Sequence, residues 1–231
     1  MRAVTISLDG LEQSHNWLRG NPRSFEKAVA AIRIVTGIPE LRFDVVTCVH
    51  QRNFGELQSI KEILQACRVK DWRIFTIFPT GRAQQNKELQ LLPGQFKAVF
   101  DFIAAERMKG DLRVSYGCEG FLGNYEGLVR DNLFFCRAGV SVASVLVDGS
   151  IAACPNLRGN YIQGNIYSDS FREVWENRYS NMRNRNWMQT GPCADCSSFK
   201  YCDGSGMHLR NEETGELLFC HYNRIKEAEG A

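Results

Sequence analysis

The sequence is poor in net charge, in histidine and in long apolar runs. Its 231 residues carry a formal charge of only +2, which excludes the strong basic field of a nucleic-acid-binding surface. Lys and Arg are scattered; Arg183 and Arg185 fall in a polar stretch and read as a solvated face. No apolar segment approaches the roughly 20 residues a membrane helix needs, so no membrane partner is expected. The run Val4-Thr5-Ile6-Ser7-Leu8 is too short, and too strand-like, for a signal peptide. No repeat or low-complexity segment is present. Cysteine is also scarce in the first hundred residues, where only Cys48 and Cys67 occur, and both read as inert core thiols.

The other seven of the nine cysteines lie in the second half. Four follow the pattern Cys193-x2-Cys196-x5-Cys202, closed by Cys220, and Cys118, Cys136 and Cys154 lie upstream. Thiolates at such spacing suit one tetrahedral zinc ion or one cubane 4Fe–4S cluster. Only one C-x2-C knuckle is present, where a zinc ribbon brings two, which lowers the zinc reading. Cysteine used this way, without a secretion signal, points to a reducing cytoplasm and metal ligation in place of disulfides.

The first half alternates strand and helix patterns. Residues 3–8, 43–49, 72–78 and 112–116 read as strands. Helices are expected at 24–35, with Ser24 as N-cap, near 54–66, and at 95–108. Such βα units give a parallel sheet with right-handed crossovers, normally covered on both faces. From about residue 117 Gly, Asn and Cys become frequent. Val140 to Cys154 reads as a hairpin about an Asp148-Gly149 type I′ turn. A helix follows near 170–177, with Phe171, Val174 and Trp175 inward, and residues 178–192 look irregular. His15 and His50 would orient loops after strands, and His208 and His221 flank the cysteines.

The pattern Cys136-x12-Gly149-x4-Cys154, then Cys193-x2-Cys196-x5-Cys202, then Cys220, resembles the SPASM domain that ends many radical S-adenosylmethionine (SAM) enzymes. Gln163-Gly164-Asn165-Ile166 and Ser170-Phe171-Arg172-Glu173-Val174-Trp175-Glu176 resemble the stretch between that domain's cysteine groups. Val4 to Gly10, with His15, Arg19-Gly20 and Ser24-Phe25, is similar to the fourth strand and following helix of the radical SAM barrel. The resemblance covers nearly the whole chain. It implies an α/β protein: the C-terminal half of a partial (β/α)6 barrel over residues 1–116, then a small α+β auxiliary-cluster domain over 117–231.

In that family the outer auxiliary cluster is held by residues that correspond to Cys193, Cys196, Cys202 and Cys220. The inner cluster would use Cys136, Cys154 and, as a substitute for a missing family cysteine, Cys118. Gly206 stands where the family has a further cysteine, so the inner set is one ligand short. Some members place an acidic base directly after the second inner cysteine; Pro155 excludes that here, and Asp9, Asp44, Glu119 and Asp148 are unranked alternatives. Ser7 and Asp9 match residues that bond the SAM ribose, although Asp9 equally reads as a strand-to-loop cap.

The family's reactive cluster needs a C-x3-C-x2-C triplet, and none occurs in this sequence. The expectation is therefore a fragment or split enzyme, whose barrel start, SAM and SAM-binding 4Fe–4S cluster belong to the complete protein. Its substrate would be a peptide or protein. Two other classes stay open: a non-catalytic iron–sulfur electron-transfer or peptide-binding module, and a zinc-stabilised binding domain built on four cysteines.

Overall fold

Alternation of apolar residues with polar ones builds the first sheet. The structure, a computed structural model, describes residues 3–117 and 119–230. Its elements run β1 (Ala3–Ser7), α1 (Glu12–Arg19), α2 (Ser24–Thr36), β2 (Arg42–Val49), α3 (Leu57–Ala66), β3 (Asp71–Thr76), α4 (Pro93–Lys109) and β4 (Arg113–Tyr116). There follow β5 (Ser144–Val145), β6 (Ser150–Ala152), β7 (Ile162–Asn165), α5 (Phe171–Asn177), α6 (Ser180–Arg183), α7 (Phe199–Cys202) and α8 (His221–Glu229). No described helix is long and apolar enough to cross a membrane.

The chain divides into two compact units. The described residues of Met1–Gly117, Asn124–Leu133 and Asn223–Ala231 make one; those of Cys118–Gly123 and Phe134–Tyr222 make the other. The first is an α/β unit whose four strands are all parallel, in the order β1-β2-β3-β4. Val45, Thr47 and Val49 on β2, and Trp72, Ile74 and Thr76 on β3, point to one buried face. Ile32 of α2, Ile60 and Leu64 of α3, and Val99, Phe100 and Ile103 of α4 are buried with them. Trp72 meets Phe102 edge-on and donates its indole N–H to Thr47, whose hydroxyl donates to the Leu8 carbonyl. The large aromatic is thus buried with its polar atom satisfied.

The other face differs from the double covering expected of a parallel sheet. It is half-buried and polar: Thr5 and Arg73 bond Asp44, and Arg113 bonds Asp71. A further departure is α1, which lies outside the helices expected from apolar periodicity. Its apolar content is low, yet Gly20 closes it in the left-handed conformation that glycine adopts without strain. Ser24 does not cap α2; it is the first helical residue, and its hydroxyl lies 3.0 Å from His15 Nε2.

The second unit holds a three-stranded antiparallel sheet, β5-β6-β7. The expected hairpin is shorter than its apolar run. Val140, Ser141 and Val142 all donate their N–H to the Arg137 carbonyl, so this segment curls instead of extending. The turn is not type I′, which needs positive φ at both central residues. Only Gly149 has it, at 83°, in a Leu146–Gly149 turn where the Asp148 carboxylate accepts the Ser150 N–H. On α5, Val174 is buried and Trp175 partly so, while Phe171 is exposed. The core of this unit gathers Phe121, Ile151, Tyr179, Met182, Met188, Phe199 and Met207 around several of the cysteines.

Candidate functional site

The Cys193–Cys202 segment is a succession of tight turns, which is how a short stretch aims several thiols inward. Cys193 ends a 3₁₀ turn, Cys196 N–H bonds the Cys193 carbonyl, and Cys202 ends α7. Beyond Cys202 the backbone takes three successive left-handed residues: Asp203 (φ 48°), Gly204 (77°) and Ser205 (67°). Only the middle one is a glycine, and a Cβ there would sit 2.7 Å from that of Met188. Asp203 and Ser205 hold a conformation that costs on the order of 1–3 kcal/mol each. What it achieves is to turn the Gly204 N–H toward the Cys202 sulfur.

Burial pushes the Cys202 thiol up to about 11; the Gly204 N–H opposes this, and the neighbouring Cys193, Cys220 and Cys196 add to it. The four cysteines of the outer set are therefore one electrostatic neighbourhood. The gathering is looser than a single-ion cage, since among the described residues no three His, Cys, Asp or Glu side chains stand close enough to hold one metal ion.

Cys136 and Cys154 form a second, smaller group. Burial raises the Cys154 thiol, an N–H from Asn156 opposes it, and Cys136 adds to it. Cys118, expected as the third member, lies outside the described residues. Near the position of the absent family cysteine, a Cβ on Gly206 would meet the Glu119 carbonyl at 2.6 Å and the His208 ring at 2.7 Å. Glu119 is buried, with His221 Nε2 3.6 Å from its carboxylate. Burial lowers His208 to about 4, so its imidazole is neutral near pH 7.

Two arginines that sequence reasoning missed approach these cysteines. Arg210, 2 % exposed, donates from Nη1 to the Gly215 carbonyl, and from Nη2 to the Met188 carbonyl and to Cys193 Sγ at 3.3 Å. Its Nε is buried without an acceptor. Arg185, expected on a solvated face, is equally buried and bonds the carbonyls of Met182 and Cys136. Its neighbour Arg183 bonds the Gly139 carbonyl and covers the Trp175 ring. Nothing local in the sequence signals the burial of Arg185, because its Cys136 acceptor lies 49 positions away. Thiols supplied with N–H donors and a buried guanidinium fit an anionic, sulfur-ligated group such as an iron–sulfur cluster.

In the first unit the strand-end pair is partly committed. Asp9 is fully buried: Oδ1 accepts the Cys48 N–H, Oδ2 accepts from Arg19 Nε at 2.7 Å, and its own N–H donates to His15 Nδ1. Asn53 adds a bond to the Asp9 carbonyl. Ser7 is half-buried at the end of β1. Burial lowers both His15 and His50, so each serves as a neutral ring.

Comparison with known proteins adds to this geometry. Residues 136–197 match the SPASM family model, an iron–sulfur cluster-binding domain. The chain is 23% identical to the AdoMet-dependent heme synthase of Methanosarcina barkeri over 88% of its own length and 62% of the relative's. It is also 23% identical to the enzyme of that name from Oleidesulfovibrio alaskensis, over 98% and 63%. The chain thus spans about three fifths of these curated relatives. Among solved structures it resembles anSMEcpe with bound AdoMet and the Cp18Cys peptide (TM-score 0.63, 18% identity, 99% of this chain, 66% of that one). It also resembles Streptococcus suis SuiB bound to its precursor peptide SuiA (TM-score 0.66, 12% identity, 97% and 53%). Residues 136–197 therefore match an iron–sulfur cluster-binding domain of the SPASM family, and the chain as a whole shares the α/β fold of the radical SAM/SPASM structures it resembles.

Proposed function

We propose that this chain is the auxiliary-cluster portion of a radical SAM enzyme that modifies a peptide or protein substrate. The observation that carries the reading is the gathering of Cys193, Cys196, Cys202 and Cys220 in one electrostatic neighbourhood, at the end of a matched SPASM segment. In this proposal those four residues hold the outer 4Fe–4S cluster, and Cys136 and Cys154, with Cys118, hold the inner one. Residues 1–116 form the barrel portion and 117–231 the cluster domain. Ser7 reaches the SAM ribose, while Asp9 holds the loop that follows β1. The C-x3-C-x2-C thiolates that activate SAM are supplied from outside this sequence.

When bound, the auxiliary clusters supply one-electron redox capacity or an open iron for substrate. This chain's part is to exclude water from the sulfurs with Phe121, Phe199, Met188 and Met207, and to direct backbone N–H groups at Cys202 and Cys154. The peptide substrate is supported by SuiB, which is solved with its precursor peptide. The two heme-synthase relatives favour a second reading, a SAM-dependent step of heme formation.

The test is anaerobic purification with iron, sulfide and zinc analysis. Iron with equivalent labile sulfide is expected. A colourless protein that carries zinc and no sulfide overturns the proposal. A complete enzyme carrying this chain, offered peptide or heme precursor, separates the two substrate readings by which one is consumed with release of 5′-deoxyadenosine.

A further inference from the structure

We propose that Arg210 is the built-in counter-charge of the Cys193 sulfur site, and that it raises the reduction potential of the cluster bound there. The inference rests on the iron–sulfur reading above and deepens it. A guanidinium stays protonated at any working pH, so Arg210 places a permanent cation where only 2 % of the residue meets solvent. Burial of a charge is strongly unfavourable unless an opposite charge and hydrogen bonds compensate it. Two carbonyls, of Gly215 and Met188, take part of the load. Among the described residues no carboxylate lies within ion-pair distance of it, and the remaining bonded partner is Cys193 Sγ at 3.3 Å. The buried Nε has no acceptor.

A cation in this position is unbalanced against neutral thiols and balanced against thiolates. The ligated set is anionic, and when its cluster takes up one electron it gains one further negative charge. A fixed cation bonded to a ligand sulfur stabilises that more negative state more than the oxidised one, which raises the potential. Arg185 supplies a comparison within the same unit. It is as deeply buried, but it bonds the carbonyl of Cys136 and covers the Phe135 ring, with no bond to a sulfur among the described residues.

The test uses the full chain, reconstituted anaerobically and titrated with dithionite while the cluster signal is followed by electron paramagnetic resonance. The outer signal is the one that Cys202→Ser abolishes. Arg210→Met is expected to shift its midpoint to more negative potential by roughly tenfold in the oxidised-to-reduced ratio, about 59 mV for a one-electron couple. Arg210→Lys keeps the charge without the rigid fork and is expected to shift it less. Arg185→Met, which removes an equally buried cation, is expected to move the outer signal less than Arg210→Met.

An unchanged midpoint in Arg210→Met overturns the inference, as does an equal shift in Arg185→Met, which would mark a general effect of destabilising the unit. If Arg210→Met does not retain its cluster, Arg210→Gln, which removes the charge and keeps N–H donors, decides: a negative shift larger than that of Arg210→Lys supports the inference and an unshifted midpoint overturns it. A wild-type chain that takes up no iron and sulfide is a separate outcome. It overturns the iron–sulfur reading itself before any variant is compared.

Discussion

A Cβ on Gly206 would stand 2.6 Å from the carbonyl oxygen of Glu119. The SPASM resemblance leads one to expect a further cysteine at this position, and the structure leaves no free space there for its side chain. The His208 ring and the Glu119 backbone fill the place a side chain would take. Restoring the family residue is therefore expected to harm the protein. Gly206→Cys should destabilise it by about 1–3 kcal/mol, the usual cost of overpacking a filled interior. It should add no iron. Urea unfolding checks the first part and iron analysis the second; an iron gain with unchanged stability would refute both.

The outer cysteine set should behave as a unit. Cys202→Ser is expected to lose most of the iron and sulfide held by Cys193, Cys196, Cys202 and Cys220, since oxygen is a harder and poorer cluster ligand. Cys67→Ser, in the buried core of the other unit, should retain full metal content and lose only stability. Equal metal loss in both variants would argue against a localised site.

Lys61 and Glu106 form a buried ion pair between α3 and α4, with Nζ 2.5 Å from Oε2. Burial pushes the Glu106 carboxyl upward, but bonds from Lys109 and Lys61 outweigh it, and it titrates below its ordinary range. Removing Lys61 leaves a buried carboxylate with the more exposed Lys109 as its remaining cation. Lys61→Met should cost about 3 kcal/mol, the low end for a broken buried pair. Chemical denaturation measures it. The double variant Lys61→Met with Glu106→Leu should recover most of the loss, because apolar replacement of both charges removes the desolvation penalty.

Acid should weaken the first unit through its neutral histidines. Burial lowers His15 below its usual 6.5, with Arg19 adding and Asp9 opposing. Burial lowers His50 likewise, with Asp9, Glu56 and Glu88 opposing and Arg52 adding. A depressed native value means that the unfolded chain binds more protons, so stability is full above about pH 6.5 and is lost as pH falls below it. The thermal midpoint should drop between pH 7.5 and 5.5. His50→Asn, which can keep an acceptor for the Arg52 N–H now bonded to Nδ1, should flatten that slope. An unaltered slope would remove His50 from this account.

Much of the α/β unit was legible because its signals are local. β-branched runs gave β1 to β4 within one or two residues at most ends, and helical periodicity gave α2, α3 and α4. Pro93 at the start and Gly110 at the end fix α4 by backbone geometry alone. Where reading failed, a non-local partner decided. The α1 segment has few apolar residues, but His15 and Ser14 are held by Asp9, Ser24 and Glu56. β7 was missed because Ile162-Gln163-Gly164-Asn165 has no strand-like composition and is ordered by pairing with β6.

The cysteine spacing by itself set apart two groups of thiols, since chemistry that requires soft thiolates leaves its residue types in the chain. It also determined the strand–helix order of the first unit. Only the tertiary structure decided what surrounds the sulfurs. It turned Arg185 from an expected surface charge into a buried donor, and it brought Arg210 to Cys193 across 17 positions. The reason is physical: a cation's burial depends on which carbonyls and sulfurs the fold delivers to it, and no local pattern records that. The thiols can be read from the sequence, but the charge that balances them can be read only from the fold.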